Sequence, residues 1–185
     1  MQEMPDIEDI EKHLIKLQKR KDRVMDLSRN IIRMSGKAIT LMHAGRLAEA
    51  NFDIKKIRAL VSAVKKLEGG LEYYSLQAHQ EYVEASAFYT VVKGGRLASR
   101  KELGTGEVAY LLGMMDLVGE LKREAMEAIR NRELGKANQY CDFMKGIYDS
   151  TRGMRFASSL VPDFRRKQDT ARIQIEGTVS ELLRA

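Results

Sequence analysis

The chain has 185 residues, enough for one domain with a real core, and carries 32 Lys and Arg against 26 Asp and Glu, a net charge of +6. Two prolines, no tryptophan and a single cysteine exclude an internal disulfide and a cysteine-rich metal site, and the composition favours helix. No apolar run approaches membrane-spanning length and Met1 to Asp6 has neither signal nor transit character, so a soluble, cytoplasmic protein is expected.

Helical spacing of apolar residues runs from about Asp6 to His43, through Ile10, Leu14, Leu17, Val24, Leu27, Ile31, Met34, Ala38 and Leu41. At about 1.5 Å per residue this first helix exceeds 50 Å, longer than one small core needs, which points to an elongated bundle or an oligomer contact. Gly45 stops it. A second helix from about Leu47 to Leu67 sets Ile54, Ile57, Leu60, Val61 and Val64 against a lysine-rich face and ends at Gly69-Gly70. A third spans about Glu72 to Val92. Arg96 to Gly106 reads as a connector with one helical turn near Ser99 to Leu103. The fourth helix is predicted from Gly106 to Arg132, the fifth from Lys136 to Ser158, and a sixth opens with Pro162 in its first turn. No alternating strand pattern and no repeat occurs. Residues 1–185 therefore read as one all-α domain, an antiparallel bundle of six to seven helices.

The third helix is chemically unusual. None of the 32 Lys and Arg falls between Leu67 and Val92, yet Glu68, Glu72, Glu81 and Glu84 do. Glu81 and Glu84 are i,i+3 neighbours on one helical face, with no basic residue nearby to offset their repulsion. Asp116 and Glu120 form a second, i,i+4 pair on the fourth helix, flanked by Gly113 and Gly119. Those glycines cost helix propensity and suggest close approach by another helix or a ligand. If the third and fourth helices pack antiparallel, the two pairs could face one another. Such hard oxygens suit Mg²⁺, with Mn²⁺ the alternative, and a cation held there could activate water and offset charge on a phosphodiester.

Competing chemistries find less support. His13, His43 and His79 all lack a glutamate three residues earlier, which disfavours a di-iron carboxylate bundle, and they read as core or surface residues. Cys141 lacks a base and reads as a small core residue. Nucleotide-binding glycine loops are absent. Basic residues on several helices could hold a nucleic-acid backbone without reading its sequence; Arg20, Lys21, Arg29, Lys37, Arg165, Arg166 and Lys167 are the candidates.

Four ordered segments carry a family resemblance. Gln80-Glu81-Tyr82-Val83-Glu84-Ala85 resembles the QEYVEA segment of the translin/TRAX family, in its TRAX branch. Leu27-Ser28-Arg29-Asn30-Ile31, with Ser35, Lys37, Ile39, Leu41 and His43, is similar to that branch's first-helix pattern. Tyr110 to Gly113 with Asp116 to Leu121 is similar to its YLLG..DLTGEL segment, and Phe164 to Asp169 to the basic start of its last helix. Asn30 and Gln168 depart from the usual residues there. The chain's compactness resembles archaeal members.

The resemblance implies an all-helical protein that assembles into a closed octameric shell around nucleic acid, here with itself; a translin-like partner is possible but not indicated. It further implies a Mg²⁺-dependent endoribonuclease acting on RNA, with single-stranded DNA a possible ligand. Glu81, Glu84 and Asp116 would be its catalytic residues and metal ligands, and Glu120 a fourth metal ligand. The alternative expectation is a non-catalytic oligomer that binds single-stranded RNA or DNA. A third is an interaction subunit whose long first helix serves assembly.

Overall fold

The computed structural model describes residues 6–185, so Pro5 and the remainder of the first five residues lie outside the described part. Seven helices and no strands make up this part: α1 (Ile7–His43), α2 (Leu47–Lys65), α3 (Glu72–Gly94), α4 (Arg100–Leu103), α5 (Glu107–Arg130), α6 (Leu134–Thr151) and α7 (Phe164–Arg184). The all-helical class is as expected. Among these helices none is long and apolar enough to cross a membrane.

The 37 residues of α1 serve two environments. Its buried residues begin at Val24, while Ile7, Ile10, Leu14 and Ile15 near its start are exposed. At its other end Gly45, at φ 73°, turns the chain back, with Arg46 donating to the Leu41 carbonyl. This left-handed stop is the glycine role expected from sequence.

α3 is the inner helix, packed against α1, α2 and α5. An unbroken run from Tyr82 to Phe88 is buried, so it lacks the one-sided apolar stripe of a surface helix. Small residues make this crowding feasible. At Gly113 of α5 an added Cβ would sit 2.6 Å from the Gln80 carbonyl oxygen and 2.7 Å from Val83 Cβ. The close approach inferred from Gly113 is thus an α3–α5 contact. Gly119 meets only ordinary van der Waals contact, 3.6 Å from Gln174.

α3 and α5 run in the same direction, not antiparallel. Gly106 to Ala109 at the start of α5 share a hollow with Ser75, Leu76 and His79 at the start of α3, and further along Gly113 meets Gln80 and Val83. The reason is the intervening segment 95–106, which travels back along α3. Tyr82 donates its hydroxyl hydrogen to the Leu103 carbonyl at 3.3 Å, and Lys65 donates to the Gly104 carbonyl. A Ser99–Glu102 capping box fixes the short α4 within this return.

Two further boundaries differ from expectation. α6 stops at Thr151 rather than Ser158, because the Gln168 side chain from α7 donates to the Thr151 carbonyl at 2.7 Å and closes the helix end. Pro162 precedes the last helix instead of opening it: Asp163 takes a left-handed φ of 57°, and α7 begins at Phe164. Cys141 is a fully buried free thiol, as expected.

Candidate functional site

Glu81 and Glu84 project from the middle of α3, Asp116 and Glu120 from α5. With Gly113 opposite Gln80 and Val83, Asp116 falls a turn further along, level with Glu84. The four carboxylates are close enough to perturb one another. Burial, then the charges of Asp116, Glu81 and Glu120, push Glu84 up to about 9. Burial and the charge of Asp116 raise Glu81 in the same direction.

Neither Glu81 nor Glu84 has a hydrogen-bond or ion-pair partner among the described residues, although Glu84 is only 9% exposed. A carboxylate taken from water without a donor is costly, so at neutral pH Glu84 keeps its proton. The donor set fits a hard divalent cation: only oxygens, partly shielded, with two carboxylates holding no other partner. The side chains do not yet form a cage, for no three His, Cys, Asp or Glu among the described residues converge as metal ligands.

A cation of the chain's own is present. Lys167, near the start of α7, donates its ammonium to Asp116 Oδ1, and both side chains are largely shielded. Sequence reading grouped Lys167 with Arg165 and Arg166 as one basic patch. The helix separates them: Arg165 and Arg166 are exposed, Arg166 pairing with Asp163 at 3.4 Å, while Lys167 turns inward. Asp116, Arg166 and Lys167 line a hollow of about 120 Å³ together with Met115, Gly119, Thr170 and Gln174.

The remaining basic candidates are dispersed. Arg20 donates to the Gly69 carbonyl at 2.8 Å, Lys21 lies over the Tyr74 ring, and Arg29 pairs with Asp26 on its own helix. Lys37 reaches the buried Asp53 of α2, its ammonium 2.8 Å from Oδ2 but poorly aimed as a hydrogen bond. These contacts tie helices or neighbouring turns and do not by themselves outline one groove.

Sequence reading missed His43. At the last position of α1, its Nε2 lies 2.5 Å from Glu120 Oε2 and its Nδ1 2.6 Å from Glu124 Oε1, with the side chain 8% exposed. Ionised carboxylates only accept, so both contacts are hydrogen bonds when both ring nitrogens carry hydrogen. Burial alone would lower the imidazole, but the bonds to Glu120 and Glu124 outweigh it and hold His43 at about 9. The signal was present in the sequence: Asp116, Glu120 and Glu124 form an i, i+4, i+8 stripe, and only its first two members were singled out.

The chain is thus an all-helical bundle protein with a partly buried carboxylate set beside a lysine. The sequence profile of the translin family matches residues 19–177, and the chain belongs to that family. It is similar to an uncharacterised protein of Methanocaldococcus jannaschii, 30% identical over 172 residues, 88% of this chain and 75% of that protein. It is also similar to the translin-associated protein X homolog of Schizosaccharomyces pombe, 27% identical over 150 residues, 71% of this chain and 65% of that one. Among solved structures, the complex of AfC3PO with duplex RNA superposes with a TM-score of 0.88 at 30% identity, covering 96% of this chain and 94% of that one. The structure of apo-NeC3PO, at 23% identity and a TM-score of 0.87, covers 99% and 98% and shows likeness of fold.

Proposed function

We propose that the chain is a metal-dependent endoribonuclease that binds RNA within a homo-oligomeric, octameric shell and hydrolyses its phosphodiester bonds. The observation that carries this reading is the unpartnered pair Glu81 and Glu84 beside Asp116 and Glu120. The likeness to AfC3PO, solved with duplex RNA, and to the fission-yeast translin-associated protein X homolog supports RNA as the substrate class.

Glu81, Glu84, Asp116 and Glu120 would hold Mg²⁺, or Mn²⁺ in its place. Bound there, the cation supplies activation of water and offsets charge on the attacking and leaving oxygens. Glu84, protonated before binding, gives up its carboxyl proton to become a ligand, so binding releases protons and strengthens as pH rises. Lys167 holds Asp116 in the meantime; freed from it, the ammonium faces the hollow it shares with Arg166 and can receive a phosphate oxygen. Arg166, which lines that hollow, and its exposed neighbour Arg165 add sequence-independent contacts to the backbone.

The test is cleavage of labelled single-stranded and duplex RNA by wild type and by Glu81→Gln/Glu84→Gln, each with Mg²⁺ or with EDTA. Metal-dependent products from wild type alone are expected. Undiminished cleavage by the double variant would sink the assignment. RNA retention by wild type without metal-dependent products would favour the non-catalytic binding oligomer, a reading to which the closed Lys167–Asp116 pair is also suited.

A further inference from the structure

Glu120, like Asp116, is held by a side chain from elsewhere in the bundle. Its Oε2 meets Nε2 of His43, the last residue of α1, while Nδ1 of the same ring meets Glu124 Oε1. The Tyr140 hydroxyl of α6 donates to the other Glu124 oxygen at 3.5 Å. The ring is also located from its face, with its centroid 4.9 Å from that of Phe88, one helical turn beyond Glu84. An imidazole tied at both nitrogens and packed on a phenyl ring has no freedom to rotate, so it fixes where the Glu120 carboxylate points. A partner that orients a metal-binding side chain tunes affinity without touching the metal.

We infer that His43 is a positioning residue that presents Glu120 to the cation, with Glu124 and Tyr140 holding His43 in place. The inference rests on the reading of Glu81, Glu84, Asp116 and Glu120 as a metal-binding set. It joins α1, α5 and α6 to the site, three helices of which only α5 supplies a ligand. Glu124 has a role here distinct from that of its neighbours on the α5 stripe: its charge is directed to the histidine.

The experiment measures Mn²⁺ affinity by calorimetry and by electron paramagnetic resonance, on protein whose helicity and assembly size match wild type. His43→Leu removes both donors and is expected to weaken Mn²⁺ binding about ten- to a hundredfold. His43→Gln keeps an amide donor for Glu120 and should recover much of that loss. Glu124→Leu leaves the His43–Glu120 contact but frees the ring, and should weaken binding by roughly tenfold. It decides the matter where His43→Leu does not fold. A histidine that merely stabilised the bundle would shift the thermal midpoint and leave Mn²⁺ affinity of the folded protein unchanged. Folded His43→Leu binding Mn²⁺ as tightly as wild type, or His43→Gln no better than His43→Leu, overturns the inference alone. Wild type that binds no Mn²⁺ overturns the metal-binding reading, and the inference with it.

Discussion

Two glutamates of the same lysine-free stretch meet opposite fates. Glu68, in the turn before α3, accepts hydrogen bonds from Ser75 and from His79 Nε2, the latter at 2.9 Å. Glu84, four turns further on, is at least as deeply buried and accepts none among the described residues. Glu68 is matched by donors placed to satisfy it, although the other ring nitrogen of His79, Nδ1, is buried without a partner among the described residues. Glu84 carries an unmatched electrostatic cost that burial and three neighbouring acids increase. Depth of burial therefore does not separate the two glutamates; the supply of donors does.

That contrast can be broken most decisively by neutralising the unmatched pair. Glu81→Gln/Glu84→Gln should lower metal-dependent RNA cleavage by roughly a thousandfold or more, because ligand charge is lost where transition-state charge is offset. Steady-state cleavage at saturating Mg²⁺ reads this. Closing the gap that brings the acids together should be next in size. Gly113→Ala sets a methyl against the Gln80 carbonyl and Val83, and is expected to cost about 3 kcal/mol in urea unfolding.

Glu68→Leu should cost about 2 kcal/mol, since it strands the buried His79 while the Ser75 hydroxyl keeps the Glu72 carbonyl, and kcat for cleavage stays unchanged. A loss of cleavage with intact folding would erase the distinction between the two glutamates. The smallest effect is a pH signature. Glu84 has a folded value of about 9 against an ordinary 4.5, so the folded state binds the extra proton between those limits. In EDTA this group's contribution is most favourable below pH 4.5 and is lost as pH rises towards 9. Glu84→Gln should flatten that slope and raise unfolding free energy at pH 8 by about 1 kcal/mol or more. Urea melts from pH 5 to 9 check the sign.

Much of this could be read in the sequence because it is local. The spacing of Glu81 and Glu84, the absent lysines and the demand of Gly113 for a close neighbour all survive into three dimensions. What escaped depends on distance along the chain. The direction of α5 relative to α3 is set by how segment 95–106 runs back, which no periodicity encodes. The cation beside Asp116 comes from 51 residues away, where Lys167 looks like part of a surface run. His43 reads as an ordinary helix end until α5 is packed beside it. The ends of α6 and α7 were misplaced for a similar reason, since the group that closes α6 belongs to α7.

The Gln168–Thr151 tie has a further consequence. Gln168 adjoins Lys167, so the bond that closes α6 also pins the start of α7 along the bundle axis. The exposed stretch from Arg152 to Leu160 is thereby relieved of part of the duty to set that register, which the buried Val161 beyond it shares. Within it, away from Phe156 where that ring packs on Phe164, is the natural place to graft a tag or a foreign loop while the lysine stays opposite Asp116. Replacing Gln168 by a residue with no donor would transfer that duty to the loop, and the same insertions would then shift the ammonium.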